Sequence, residues 1–469
     1  MIMVPPSFLR ISATLTAATM LASCVIGPTY ERPTAPTADK YKASEGWVDA
    51  EPADTLDRGP WWMRFEDPVL NDLVSRVEVS NQNVAAATAA YAQARALVRE
   101  QRSSLFPLVV LDGGASRSGT GIGGDSQAGS TYRVSIGAGW EPDVWGRLRR
   151  SVEAASASAQ ASAADLAAAL LSAQGELAAN YFGLRQTDAQ IALLADTISG
   201  YQRSLQITQN RYDAGIIART DVLQAQTQLA NTQGDAVGLR RQRAQFENAI
   251  AVLVGQSPSG FTLASNEWRV SVPSVPIGIP STLLQRRPDI AVAERQVAAA
   301  NERIGIAQAA FYPSFNLTGS VGFGAARIAE LVSASTALWS LGVSAAQVLF
   351  NAGATRARVD GTQAAHQVTI ARYRQTALAA FEEVENLLTA TRILEQQEVL
   401  RRQASVAADQ VAAQVENRYR AGQINFTEVI IAQATALNAR RALVQLLAER
   451  QTTAVALIQA LGGGWQAQY

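Results

Sequence analysis

The chain is 469 residues long and carries 40 Lys+Arg against 40 Asp+Glu, a formal net charge of zero, which offers no basic footprint for a nucleic acid. One Cys (Cys24) and one His (His366) exclude an intramolecular disulfide and leave too few ligands for a Cys/His zinc site. Any nucleophile–base pair would rest on that single imidazole, which sits in an Ala-rich helical stretch where an ordinary helix-surface role is the simpler reading.

Residues 1–23 read as a lipoprotein-type secretion signal. Arg10 and the terminal amine supply the positive start, and Ile11 to Leu21 form an apolar core too short to span a bilayer. The segment closes on Leu21-Ala22-Ser23-Cys24, an aliphatic residue, two small ones and the only thiol in the chain. The pattern predicts cleavage before Cys24 and a covalent lipid on it, the only attached group expected; no other cofactor and no metal is expected. Acyl chains anchor firmly, at about 0.8 kcal/mol per buried methylene. Val25 stands where an Asp would retain a lipoprotein at the inner membrane, so sorting to the outer-membrane lipid is expected. Residues 24–60 then form an irregular, lipidated extended segment expected to lie along the outside of the body. No later stretch holds 18 uninterrupted apolar residues, so a membrane crossing by the mature chain would need a closed barrel.

A first structural unit is expected over 61–255. An Ala-rich helix leads to Leu105-Phe106-Pro107, after which the pattern turns to period two. Leu108 to Ser118 reads as a less regular strand, and Val134, Ile136, Ala138 and Trp140 alternate with Arg133, Ser135, Gly137 and Gly139, with a Gly-rich loop from Gly119 to Gly129 between the two. From Gly146 to Ala214 no proline interrupts a run of good helix formers, and at 1.5 Å per residue a continuous helix would reach about 100 Å. Gly215 suits a left-handed helix end, and Thr220 is placed to cap the return helix. Residues 256–281 are rich in Pro, Ser and Gly and read as an irregular connector. A second unit, 282–462, repeats the first: Phe315, Leu317, Gly319, Val321 and Phe323 alternate with Ser314, Asn316, Thr318 and Ser320, and Trp339, Leu341, Val343 and Ala345 with Ser340, Gly342 and Ser344. The loop between these strands runs from Gly324 to about Thr336. Another proline-free run goes from Gly353 to Ala421, and Thr427 is the expected cap of its return helix. Residues 463–469 are a short tail.

The repetition is explicit. Asn210-Arg211-Tyr212-Asp213-Ala214-Gly215 recurs as Asn417-Arg418-Tyr419-Arg420-Ala421-Gly422, an offset of 207 (417 − 210), and Gly146, Arg149, Thr220 and Gly255 meet Gly353, Arg356, Thr427 and Gly462 at the same spacing. One apolar and one small polar face per strand suit a barrel wall between lipid and water, the alternative being a half-buried strand in a soluble sandwich. Four strands cannot close a barrel alone, and helices of this length need long partners in a coiled-coil wall.

Several motifs carry a family resemblance: Gly27-Pro28-Thr29-Tyr30-Glu31-Arg32-Pro33, Trp61-Trp62 with Phe65, Asp67-Pro68 and Leu70, Arg286-Arg287-Pro288-Asp289-Ile290, Glu294-Arg295, Arg303-Ile304-Gly305, Phe311-Tyr312-Pro313 and the paired Arg-Tyr-x-Ala-Gly turns. Over essentially the whole mature chain these resemble the TolC-like outer membrane factors, in particular the lipoprotein branch called the NodT family. The resemblance implies an α+β membrane protein of two tandem repeats. Each protomer of a homotrimer would give four strands to a 12-stranded outer-membrane β-barrel, continued by a long periplasmic α-helical coiled-coil barrel. It implies a Gram-negative outer membrane, a periplasmic adaptor protein, an inner-membrane pump of the RND type and no catalysis by the chain itself. The hairpin turns would form the periplasmic tip, with Ala214, Gly215, Ile216, Ala421, Gly422 and Gln423 docking the adaptor. Arg211, Tyr212, Asp221, Arg418, Tyr419, Glu428 and Ile431 would form the gate, held by interhelical hydrogen bonds and ion pairs. Family members often place an Asp nine residues after the second turn glycine; here Ile431 holds that position and Gln224 its first-repeat counterpart, and the nearest acids are Glu428 and Asp221.

Met63 is the only Met beyond the signal, so a soft-metal relay has no thioether, thiolate or imidazole set, which favours drugs or small molecules over copper or silver as cargo. A rival of another class is a lipid-anchored periplasmic coiled-coil adaptor or structural protein without a pore; adaptors usually carry one hairpin, where this chain has a duplicated pair.

Overall fold

A computed structural model describes residues 25–35, 42, 60–120, 127–266, 268–273 and 286–463. The expected signal peptide (residues 1–23) and Cys24 lie outside the described residues, as do most of the segment before Pro60, part of the connector and the tail beyond 463. The helices, in chain order, are α1 (Pro68–Ser80), α2 (Gln82–Ser103), α3 (Arg147–Asp213), α4 (Arg219–Leu253), α5 (Pro288–Ala309), α6 (Ala354–Arg420) and α7 (Phe426–Ala460). The strands are β1 (Leu108–Thr120), β2 (Gln127–Trp140), β3 (Ser314–Ala325) and β4 (Ala337–Ala346). Both proline-free runs are single helices of 67 residues, and both return helices have 35. By contacts the chain divides into two compact units, one of Met1–Thr34, Ala90–Ala163 and Val292–Gln375, the other of Ala35–Ala89, Ala164–Ala291 and Thr376–Tyr469.

The first unit carries an antiparallel sheet in the order β1-β2-β3-β4. Its register explains the alternation. Leu111, Ile136, Val321 and Trp339 lie in one row across the strands, and Val109, Ala138, Gly319 and Leu341 in another on the same face. Rows between them, such as Val110, Gly137, Ser320 and Ser340, occupy the opposite face with small and polar side chains. The apolar face is bare: Trp339 and Leu341 are each 80% exposed. β1 looked irregular in sequence because Val110 falls on the small-residue face and Gly113 on the apolar one. The sheet ends at β1 and β4, each paired along one side only. At its centre, Gly322 lies tight against β2, and a Cβ there would stand 2.3 Å from the Val134 carbonyl oxygen and 2.6 Å from Ser135 Cα. Gly322→Val is therefore expected to break the β2–β3 pairing, abolishing the heat-resistant folded species on denaturing gels, whereas Gly129→Ala, with open space around it, leaves that species intact.

The segment that begins at Val25 is strapped to this unit. Ile26 N–H donates to the Trp145 carbonyl (3.1 Å) and its own carbonyl accepts from Arg150 Nε (2.6 Å), while Arg150 pairs with Glu302. Asn301 donates to the Pro28 carbonyl at 3.1 Å, and the Tyr30 hydroxyl donates to Glu294, a carboxylate only 1% exposed that also pairs with Arg295. Burial and the Glu294 carboxylate push the Tyr30 hydroxyl above its ordinary pKa, so it remains a donor.

The second unit holds the largest apolar core. The 3-10 turn Trp61–Phe65 and α1 insert Trp61, Trp62, Phe65, Leu70, Leu73, Val74 and Val77 against Tyr181 and Phe182 of α3, Leu388 of α6 and Leu457 of α7. Asp67 starts α1 by accepting from Val69 and Leu70 N–H, and its second oxygen accepts from the Tyr181 hydroxyl at 2.6 Å. The described part of the connector is irregular apart from a 3-10 turn at Pro258–Gly260, and it is tied down by side chains. Arg185 and Arg243 donate to the Ala264 and Leu263 carbonyls (2.9 and 2.6 Å), and both pair with Asp188. Trp268 donates to Gln451 at 3.0 Å.

Each repeat turns its chain with the same backbone device: Gly146, Gly215 and Gly255 have positive φ, as do Gly353, Gly422 and Gly462. The caps differ from expectation. α4 starts from Ala218 with no side-chain bond and α7 from Asn425, whose side chain accepts from Glu428 N–H at 3.2 Å. Thr220 and Thr427 are already the second residues inside their helices, because the hairpin turn ends sooner than the spacing suggests.

Candidate functional site at the helical hairpin turns

The two hairpin turns lie in the second unit and are built alike. Helix α3 ends with Gly215 N–H donating to the Tyr212 carbonyl (2.8 Å) and Ile216 N–H to the Arg211 carbonyl (2.9 Å). α6 ends with Gly422 donating to Tyr419 (2.9 Å) and Gln423 to Arg418 (3.0 Å). These crossed bonds form the Schellman end, which requires a left-handed residue, and Gly215 and Gly422 supply it at φ 72° and 73°. The turns leave Ala214, Gly215, Ile216, Ala421, Gly422 and Gln423 exposed.

Among the gate residues, the structure joins one pair. The Arg211 guanidinium lies over the Tyr419 ring, 4.7 Å from its centroid, and donates to the Tyr419 carbonyl at 3.2 Å. Tyr419 is buried and packs on Phe426, centroids 5.3 Å apart, in a cluster with Ala225 and Val429. Among the described residues its hydroxyl has no hydrogen-bond partner. Tyr212, the counterpart in the first repeat, is 38% exposed. Among the described residues Asp221, Arg418 and Glu428 make no ion pair, while Arg420, one residue before the turn, pairs with Glu416 along its own helix. Ile431 is 61% exposed on α7, with Glu428 and Thr435 exposed one turn to either side. The sequence did not single out Phe426, although a signal was available: its first-repeat counterpart is Arg219, so an aromatic appears on one side of an otherwise matched turn.

A single family model, outer membrane efflux protein, matches residues 73–256 and 279–463, well over half of the chain. The chain belongs to the outer membrane efflux protein family. Among curated relatives, the probable efflux pump outer membrane protein TtgC of Pseudomonas putida is 30% identical over 96% of this chain and 94% of its own length. The cation efflux system protein CusC of Escherichia coli is 30% identical over 95% and 97%. Among solved structures, the outer-membrane channel OprN superposes with a TM-score of 0.86 at 32% identity, covering 94% of this chain and all of that one. As a member of this family the chain is an outer-membrane channel component of an efflux system. Its sheet and long helices are those of a channel that continues from the outer membrane into the periplasm, and among the described residues no helix is long and apolar enough to cross a membrane.

Proposed function

We propose that three copies of this chain close one 12-stranded barrel, four strands from each, and that the trimer is the passive exit duct of a tripartite pump. The observation that carries the proposal is the four-stranded sheet, which has one bare apolar face and two unpaired edges. Hydrocarbon does not tolerate open sheet edges, and pairing β1 of one copy with β4 of the next removes all of them. The duct is anchored by a lipid on Cys24, an adaptor protein docks on the exposed hairpin turns, and an inner-membrane pump supplies the energy. The gate lies at the same turns, where the orphaned Tyr419 hydroxyl and the unpaired Asp221, Arg418 and Glu428 are available to a neighbouring copy. The cargo is small organic molecules: the mature chain offers no thioether, thiolate and imidazole set to relay a soft metal, and no group of three or more His, Cys, Asp and Glu among the described residues is arranged to hold one.

Two measurements test the assembly. Light scattering of the detergent-solubilised protein is expected to give three chains per particle, and a stable folded monomer would refute the closed barrel. Metabolic labelling with palmitate is expected to mark the wild type and not Cys24→Ser, which also retains its signal peptide; an unmodified Cys24 in the mature native protein would refute the anchor.

A further inference from the structure

We infer that a cavity at the foot of the strands is the seat of the chain's own lipid. This rests on lipidation of Cys24. The cavity measures about 160 Å³ and is walled by Trp145, Arg147, Tyr312, Pro313, Phe315 and Val348 among others. On the same measure one water needs about 10–15 Å³, so it takes a short stretch of chain, the glyceryl end and first methylenes of a diacylglyceryl group, and leaves the rest to the bilayer.

Three observations converge on that occupant. The first is reach. Val25, the first described residue, packs on Gly146, where a Cβ would meet Val25 Cγ1 at 2.9 Å. The residues on either side of Gly146, Trp145 and Arg147, both line the cavity. Cys24 is one peptide unit, about 3.8 Å, from Val25, and the strap bonds from Ile26 to Trp145 and Arg150 leave little slack. The second is chemistry. Several polar groups of the wall are already engaged: both Glu141 oxygens accept from Arg147 at 2.7–2.8 Å, Asp143 accepts from Leu148 and Arg149 N–H, Trp145 Nε1 donates to the Pro313 carbonyl at 2.7 Å, and Ser314 donates to the Ala346 carbonyl at 3.3 Å. The wall is mixed: Glu141, Asp143 and Arg147 give it a polar side, and Trp145, Tyr312, Phe315 and Val348 an apolar one, which suits the ester-bearing glyceryl end together with the first methylenes. The third is level. Trp145 and Tyr312 stack at 5.0 Å at the ends of the strands whose bare apolar face meets lipid, the height at which Trp and Tyr gather in membrane proteins.

The test compares four purified full-length proteins in one detergent: wild type, Ala310→Phe to fill the cavity, and each of these made without lipid by pairing Cys24→Ser with an ordinary cleavable signal. The lipidated wild type is expected to unfold about tenfold more slowly than its lipid-free form, the effect of burying two methylenes, and Ala310→Phe is expected to erase that difference. A lipid advantage that survives Ala310→Phe, or the absence of any advantage in the wild type, would overturn the seat. A photoreactive diazirine side chain at Val348 gives an independent readout in case the filled variant folds poorly. Crosslinks from residue 348 to the lipid-bearing N-terminal peptide of the same chain are expected. Crosslinks only to membrane phospholipid or to a neighbouring copy would overturn it. Intact mass of the wild type shows whether Cys24 is lipidated at all, so failure of the anchor is told apart from failure of the seat.

Discussion

Tyr419→Ala is expected to raise the resting conductance of the channel by about tenfold or more. Tyr419 ties the second hairpin to the first close to the turns: its ring packs on Phe426 and Ala225, and Arg211 reaches across to its face and its carbonyl. Truncating a buried aromatic of this size costs about 3–5 kcal/mol, and loss of the cation–π contact adds about 0.5–2 kcal/mol. The closed tip bears that cost, while the large core around Leu70, Phe182 and Leu457 is unaffected, so the protein is expected to fold and to leak. Tyr419→Phe separates two contributions. It keeps the packing and removes only the hydroxyl, which has no partner among the described residues. A leak in Tyr419→Phe, strengthened by Glu428→Gln, would report bonds made to a neighbouring copy; a leak in Tyr419→Ala alone would assign the closed state to packing within each chain. Single-channel recording distinguishes these results.

Ile431→Asp is expected to turn weak cation block into strong block. Ile431 stands exposed on α7 at the level where family resemblance leads one to expect a carboxylate. In the proposed trimer three isoleucines around the axis would form an apolar ring, which closes a pore by dewetting and gives a divalent cation nothing to bind. Three carboxylates do the reverse. A single charge pair a few Å apart at intermediate dielectric is worth several kcal/mol, so the blocking concentration of a divalent cation applied from the periplasmic side should fall by at least about tenfold. Tight block of the wild type, unchanged by Ile431→Asp, would place the constriction elsewhere along the helices.

Features that depend on local pattern were legible in the sequence. The alternation from Ser314 to Phe323 corresponds to β3, and the proline-free runs after Gly146 and Gly353 correspond to α3 and α6 to within a residue at each end. Both respond to backbone geometry alone: period two fixes the faces of a strand, and a glycine of positive φ fixes where a helix stops. Features set by tertiary partners were not legible. Tyr212 and Tyr419 occupy the same position in the repeat, yet one is exposed and the other buried, because only Tyr419 finds an arginine from the other hairpin and an aromatic on its own return helix. The connector gave no periodic signal, and in its described part the Ala264 and Leu263 carbonyls are held by side chains, Arg185 of α3 and Arg243 of α4. Thr220 and Thr427 suggested caps by residue type alone, while the length of the turn placed the cap positions at Ala218 and Asn425.

The central claim is that this chain forms a pore. Planar-bilayer recording of the purified, full-length protein tests it most directly. The account predicts stepwise insertion of channels that are small at rest and that open to a much larger, stable conductance in Tyr419→Ala. A folded, lipidated protein that binds bilayers yet passes no current, in the wild type and in Tyr419→Ala alike, would contradict it and would favour a lipid-anchored coiled-coil scaffold instead.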